Sequence, residues 1–182
     1  MSLMLRLLVL LAAVVLPACA PTGSAGGART LREAISYEPR SLDPLLAQSI
    51  SDNEILRLMY DPLIACDRAG RPVPALAAVV PTRANGGISA DGLTITYHLR
   101  RGVRWHDGAP FTAEDVRFSW RAVMNPRNNV FGRQGYDEVA SIDAPDRNTA
   151  IVHLKRRYPP FVSQFFTDLQ EDAKALVPAH LL

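Results

Sequence analysis

From Leu93 to Arg100 apolar and polar residues alternate. Leu93, Ile95, Tyr97 and Leu99 share one face, and Thr94, Thr96 and His98 share the other. A period of two predicts a strand with one buried face. Ser89-Ala90-Asp91-Gly92 supplies turn chemistry before it, and Val103 and Trp105 extend the pattern past Gly102. The period then changes. Val116, Trp120, Val123 and Met124 form an apolar stripe at helical spacing. The helix start is well marked. Thr112 is placed as an N-cap, Asp115 as the acid of a capping box, and Phe111 with Val116 as a hydrophobic staple. Asn125-Pro126 stops the helix.

The same reading extends along the chain. Thr30 to Tyr37 alternates and predicts a strand that ends at Pro39. Ser41-Leu42-Asp43-Pro44 is a turn by composition. Asp52 to Leu63 predicts a helix capped by Asp52, with Ile55, Leu56, Met59 and Leu63 at helical spacing. Asp67-Arg68-Ala69-Gly70 is a hairpin-like turn before the extended segment Arg71 to Ala75. Tyr136 to Asp143 and Thr149 to Lys155 predict two strands. Phe161 to Leu169 predicts a short helix, and Leu176 to Leu182 opens a further element. The order is strand, helix, strands, helix, strands, helix, which defines an α/β or mixed α+β fold.

The beginning of the chain follows other rules. Leu7 to Leu16 is an unbroken apolar run after a short segment carrying Arg6. Its length suits the core of a signal peptide rather than a bilayer span. Leu16-Pro17-Ala18-Cys19 resembles a bacterial lipobox, which implies cleavage before Cys19 and lipidation of its thiol. The alternative is a plain secretory peptide with an incidental Cys19. Residues 1–18 are accordingly read as a lipoprotein signal peptide, and the small, Gly-rich residues 19–29 as a flexible tether. Residues 30–182 are read as the folded part.

Composition narrows the function classes. A net charge of +2 is too small for a nucleic-acid partner. Two cysteines, Cys19 and Cys66, make neither a disulfide framework nor a metal site. No Gly-rich phosphate loop and no nucleophile elbow is present. His98, His106, His153 and His180 show no metal-ligand spacing. His106-Asp107 reads as turn chemistry. An esterase or metallohydrolase thus has no constellation to work with, and no catalytic residue, metal or cofactor is expected.

Several segments in order carry a resemblance. They are Ser41-Leu42-Asp43-Pro44, Met59-Tyr60-Asp61-Pro62-Leu63-Ile64, Pro74-Ala75-Leu76-Ala77, the run from Asp91 to Trp120, Ser141 to Asp146, and Val177 to Leu182. Together they resemble the family 5 extracellular solute-binding proteins, the oligopeptide- and dipeptide-binding group of ABC importers. The run Asp91 to Trp120 joins strand, turn and capped helix, and Tyr97, Trp105, Phe111 and Trp120 can pack into one small core. It therefore reads as a fold signature rather than a ligand site.

The resemblance implies a periplasmic-binding-protein type II architecture, two lobes that close over a ligand, of which this chain is an incomplete N-terminal lobe. It implies peptide capture without chemistry on the ligand, delivery to an ABC permease and its ATPase, and a place in the periplasm or on the outer face of the cytoplasmic membrane. It places Gln48, Ser49 and Ile50 along the cleft and brings Phe131 towards it. Nickel, haem or sugar stand as alternative solutes, and a lipid-anchored remnant or interaction protein as the alternative class. It also implies a much longer chain, so the sequence is read as a partial one. A single lobe cannot bury most of a ligand, and tight binding by this stretch alone is not expected.

Overall fold

The computed structural model describes residues 32–47, 49–168 and 174–181. The chain divides into two units, Met1–Ala34 and Ile35–Leu182, and the elements described here belong to the second.

Helix α1 spans Ile50–Met59. Ser49 caps it: its Oγ accepts the Asp52 N–H at 3.0 Å, and Asp52 Oδ2 accepts the Ser49 N–H at 3.1 Å. This reciprocal capping box satisfies two of the backbone donors that a helix start leaves open. Asp52 is therefore the third helical residue and not the cap. The helix stops at Met59, four residues before Leu63. Tyr60 is extended, and Asp61 precedes Pro62, where the helical conformation is disfavoured. Strands β1 (Ile64–Cys66) and β2 (Pro72–Pro74) form an antiparallel hairpin. Its turn is held by Asp67 Oδ1, which accepts the N–H groups of Ala69 and Arg71.

A three-stranded antiparallel sheet follows, in the order β3 (Thr94–His98), β5 (Thr149–Leu154), β4 (Val139–Asp146). Ile95 faces Val152, and Val152 faces Ile142, so one row of apolar side chains crosses the sheet. Irregularities at Val139/Ser141 and Asp143/Asp146 bend β4. Helix α2 (Ala113–Met124) packs against β4 and β5. It buries Val116 and Val123 completely, with Trp120 and Met124 at the margin. Asp115 Oδ2 accepts the Thr112 N–H at 2.7 Å, which completes the predicted start.

Three expectations give way. Residues 32–37 form no strand, and Tyr37 is exposed. Alternation makes a strand only where a neighbour supplies a ladder, and no described residue pairs with this segment. β3 does not continue to Trp105. Gly102 takes φ +77° and turns the chain, and Arg104 then bridges to Pro110 around the His106-Asp107-Gly108 turn. Phe161 to Leu169 is not a helix. Pro159–Ser163 makes a short 3₁₀ turn. Phe166 then adopts φ +46°, a conformation that an aromatic residue takes only when its surroundings hold it there. Both its backbone groups are engaged. Its N–H donates to Tyr136 Oη at 3.0 Å, and its carbonyl accepts the Leu63 N–H at 2.7 Å. Thr167 then bridges in parallel to Ile64.

The core centres on Phe165. Its ring lies 4.7 Å from Phe161, 4.6 Å from Phe166, 5.3 Å from Tyr136 and 6.0 Å from Tyr97, centroid to centroid. Trp105 does not join this cluster; it meets Phe111 edge-on at 5.7 Å. Trp120 contributes by donating its indole N–H to the Tyr136 carbonyl at 3.1 Å. The four aromatics of the Asp91 to Trp120 run meet one core at different points: Tyr97 and Phe111 are buried in it, and Trp105 and Trp120 pack against it. Residues 174–178 have no regular secondary structure. They are tied to α2 by Val177 N–H on Ser119 Oγ at 2.8 Å, and Ala179 N–H reaches Asp115 Oδ1 at 2.9 Å.

Candidate ligand-binding site

The predicted cleft residues lie on two loops. The first is the segment leading into α1. Asp43 Oδ1 accepts the Leu45 N–H at 2.9 Å, and the Asp43 carbonyl accepts the Ala47 N–H, so the Ser-Leu-Asp-Pro turn is rigid. Asp52 Oδ1 accepts the Arg40 N–H at 2.7 Å and fixes the entry from the other side. Within this frame Ser49 caps α1, so its hydroxyl oxygen is already accepting a backbone N–H. Ile50 begins the helix with 79% of its surface exposed. Gln48 and Cys19 lie outside the described residues.

The second loop follows α2. Arg133 holds it: Nε donates to the Val123 carbonyl at 2.8 Å, and Nη2 donates to the carbonyls of Asn125 and Asn128 at 3.2 and 2.9 Å. Phe131 projects from this framework with 58% of its surface exposed. Ser49, Ile50 and Phe131 do not share any of the recesses described here. Each loop instead presents one large apolar side chain to solvent from a hydrogen-bonded base.

Behind α1 is a small recess of about 50 Å³, where Asn53, Arg57, Tyr60 and Asp168 meet the apolar Pro44, Leu56 and Pro62. It is large enough for water and far too small for a peptide. Burial pushes the Tyr60 hydroxyl up, and the Asp43 carboxylate adds to that. Asp168 Oδ1 is buried without a hydrogen-bond partner among the described residues. Sequence reasoning missed this recess. Tyr60 was visible only as part of the Met59 to Ile64 segment, and Asp168 sits more than a hundred residues further on.

Two histidine–carboxylate pairs lie at the surface. His180 Nε2 is 2.6 Å from Asp107 Oδ2, and His153 Nε2 is 3.1 Å from Asp143 Oδ2. The hydrogen bond with His180, followed by the one from the Ala109 N–H, holds the Asp107 carboxyl below its ordinary range. Asp107 is thus turn chemistry, as expected, with a long-range partner that adjacency to His106 could not reveal. Among the described residues no three His, Cys, Asp or Glu side chains converge as a metal site. What the surface offers is non-covalent: exposed apolar side chains on rigid loops, with polar backbone close by.

Comparison with known proteins places these features. The structure matches that of NikZ from Campylobacter jejuni in complex with Ni(L-His), with a TM-score of 0.64 and 28% identity, covering 80% of this chain and 27% of that one. That and the other structural neighbours are type II periplasmic binding proteins, so the fold is part of a lobe of that class. Residues 71–177 match the bacterial extracellular solute-binding proteins, family 5 Middle. The chain belongs to this family. Protein XP55 of Streptomyces lividans is 35% identical over 150 residues, covering 80% of this chain and 26% of that protein. The oligopeptide-binding protein OppA of Bacillus subtilis is 34% identical over 130 residues, covering 66% of this chain and 23% of that protein. The chain thus spans about a quarter of the length of these relatives. The second of these is named for oligopeptide binding, and the family is one of extracellular solute-binding proteins.

Proposed function

We propose that this chain belongs to the substrate-binding component of an ABC importer that captures peptides outside the cytoplasm and passes them to a permease. The observation that carries this is the 34% identity to a protein named for oligopeptide binding, along 66% of the chain. Residues 1–18 act as a signal peptide in this reading. Cys19 carries the lipid, residues 19–29 form the tether, and residues 30–182 belong to the binding domain. Gln48, Ser49, Ile50 and Phe131 face the ligand.

The exposure of Ile50 and Phe131 supports that assignment. Apolar side chains on hydrogen-bonded loops give varied peptide side chains a surface to pack on without demanding one shape. Ser49 contributes by fixing the start of α1 beside Ile50, since its hydroxyl oxygen and its N–H are both engaged with Asp52 and its carbonyl accepts the Asn53 N–H. A second reading takes a metal–amino-acid complex as cargo. The 28% identity to NikZ, solved with Ni(L-His), favours it.

Uptake by the source cells separates these readings. Deleting the gene lowers the uptake of a radiolabelled oligopeptide, and a plasmid copy restores it. If nickel uptake falls instead and peptide uptake holds, the second reading replaces the first. Unchanged uptake of both assigns the chain to a non-transporting anchored protein.

A further inference from the structure

Between the loop Pro81 to Gly92 and the segment Arg157 to Val162 lies a recess of about 520 Å³. That volume falls within the range of about 300–1,000 Å³ usual for small-molecule sites. Its floor is apolar. Ile95 and Phe161 come from the buried core, and Ile88 and Val162 pack against it. Its rim is cationic, with Arg83 on one side and Arg157 on the other.

The two arginines are built into place. Arg83 Nη1 donates to the Ala90 carbonyl at 2.8 Å, and Arg157 Nε donates to the Asp91 carbonyl at 2.5 Å. Two successive carbonyls of one turn thus anchor both arms. The arms converge over Gly92: a Cβ there would lie 3.2 Å from Arg83 Nη2 and 3.7 Å from Arg157 Cγ. Gly92 also has φ +70°, so a side chain would be strained as well as crowded. Gly92 therefore leaves room between the Arg83 guanidinium and the Arg157 stem.

Among the described residues neither guanidinium is ion-paired with a carboxylate. A guanidinium has five N–H donors, and one of each is used here. The Asp91 carboxylate feels the charge of Arg157 and accepts from Ser89 Oγ at 2.5 Å and from the Leu93 N–H at 3.0 Å. Two cations against one anion leave one positive charge beside an apolar floor.

We propose that this recess binds an apolar monocarboxylate. The hydrocarbon part lies on Ile88, Ile95, Phe161 and Val162, and the carboxylate sits between Arg83 and Arg157. Guanidinium matches carboxylate in fork geometry, and the floor rewards removal of hydrocarbon from water. Inorganic anions would leave the floor unused, and neutral hydrocarbons would leave the arginines unused. The site is separate from the cleft residues Ser49, Ile50 and Phe131, so it stands or falls apart from the peptide-import reading. Two sources share this chemistry, a free fatty or aryl acid and the apolar C-terminal residue of a peptide.

The test is a titration of the full ¹⁵N-labelled chain followed by amide shifts. Octanoate, octanol, N-acetyl-Ala-Ala-Phe and its C-terminal amide are the probes. Octanoate is expected to give saturable shifts confined to Ile88–Gly92 and Arg157–Val162, with affinity about tenfold above octanol. The double variant Arg83→Gln/Arg157→Gln is expected to bring octanoate down to the level of octanol and leave octanol unchanged. Both side chains are exposed, and an otherwise unchanged spectrum shows that the variant is folded. If the peptide acid outbinds both its amide and octanoate, the source is a peptide C-terminus; if octanoate outbinds the peptide acid, the source is a free acid. Absent or scattered shifts, equal binding of octanoate and octanol, or an unaffected double variant would overturn the proposal.

Discussion

Tyr97 carries its hydroxyl into the centre of the core, where that group has no hydrogen-bond partner among the described residues. Burial, helped by Tyr136, pushes its ionisation well above the ordinary tyrosine value, so it stays neutral at any physiological pH. An unpaired buried hydroxyl costs stability, while the ring it sits on contributes through Phe165. Tyr97→Phe keeps the ring and removes the cost. Urea unfolding should show a gain of about 0–1 kcal/mol. A loss of more than that would mean that the hydroxyl has found a partner. Asp52 behaves in the opposite way, because its carboxylate is used by Arg40, Ser41 and Ser49. The cap at Ser49 was legible in the sequence, since Ser49-Ile50-Ser51-Asp52 has capping-box spacing. Asp52 also lies at a plausible start and took the role first. Its real partners, Arg40 and Ser41, come from a turn that helix periodicity does not describe.

At the scale of elements, α2 organises its surroundings through two side chains. Asp115 accepts from Thr112 with one oxygen and from Ala179 with the other. Ser119, fully buried, donates to the Asp115 carbonyl at 2.6 Å and accepts the Val177 N–H. The helix start and the segment 174–179 are therefore one structure. Asp115→Ala should cost about 1–3 kcal/mol, because it strips a cap and leaves a part-buried backbone N–H unpaired. Hydrogen exchange should accelerate at Ala179 as well as at Thr112. Acceleration at Thr112 alone would show that the segment is held without Asp115. The capping box of Thr112 and Asp115 was legible, because it is local. The link to Ala179 was not, because it spans 64 residues. For the same reason periodicity located β3, β4 and β5 but ran β3 on to Trp105, whereas the strand ends at His98 and a positive φ at Gly102 then turns the chain. It also made a helix of Phe161 to Leu169, where Phe166 is held by distant Tyr136 and Leu63.

At the scale of the whole molecule, surface carboxylates tie turns together, and this sets the response to acid. Asp67 is held below its ordinary range chiefly by the Arg71 N–H, Asp91 by the Ser89 hydroxyl, and Asp107 by His180. Asp146 is lowered chiefly by the Asn148 N–H and Glu138 by Arg156. A carboxyl depressed in the folded state stabilises the fold above its unfolded pKa. That contribution is lost as pH falls through the folded value. The urea midpoint should therefore be level from about pH 7 to 5 and fall below about pH 4, where free carboxyls begin to protonate. A midpoint that rises on acidification would contradict these assignments. The fold class and family were legible because the Asp91 to Trp120 run encodes consecutive, mutually constraining elements. The candidate site was legible only in part. Ser49 and Ile50 stand at the start of α1 and Phe131 on the loop after α2, and no recess described here joins them; relations between such distant segments are ones that local patterning does not record.

The central claim is capture of peptides by a lipid-anchored binding protein. Native mass spectrometry of the protein extracted from the membrane fraction tests it most directly. The account predicts an N-terminus at Cys19 carrying acyl chains, and a set of added masses that denaturation releases as peptides. A protein that carries no peptide at any recovered mass, with residues 1–18 still attached, would contradict it.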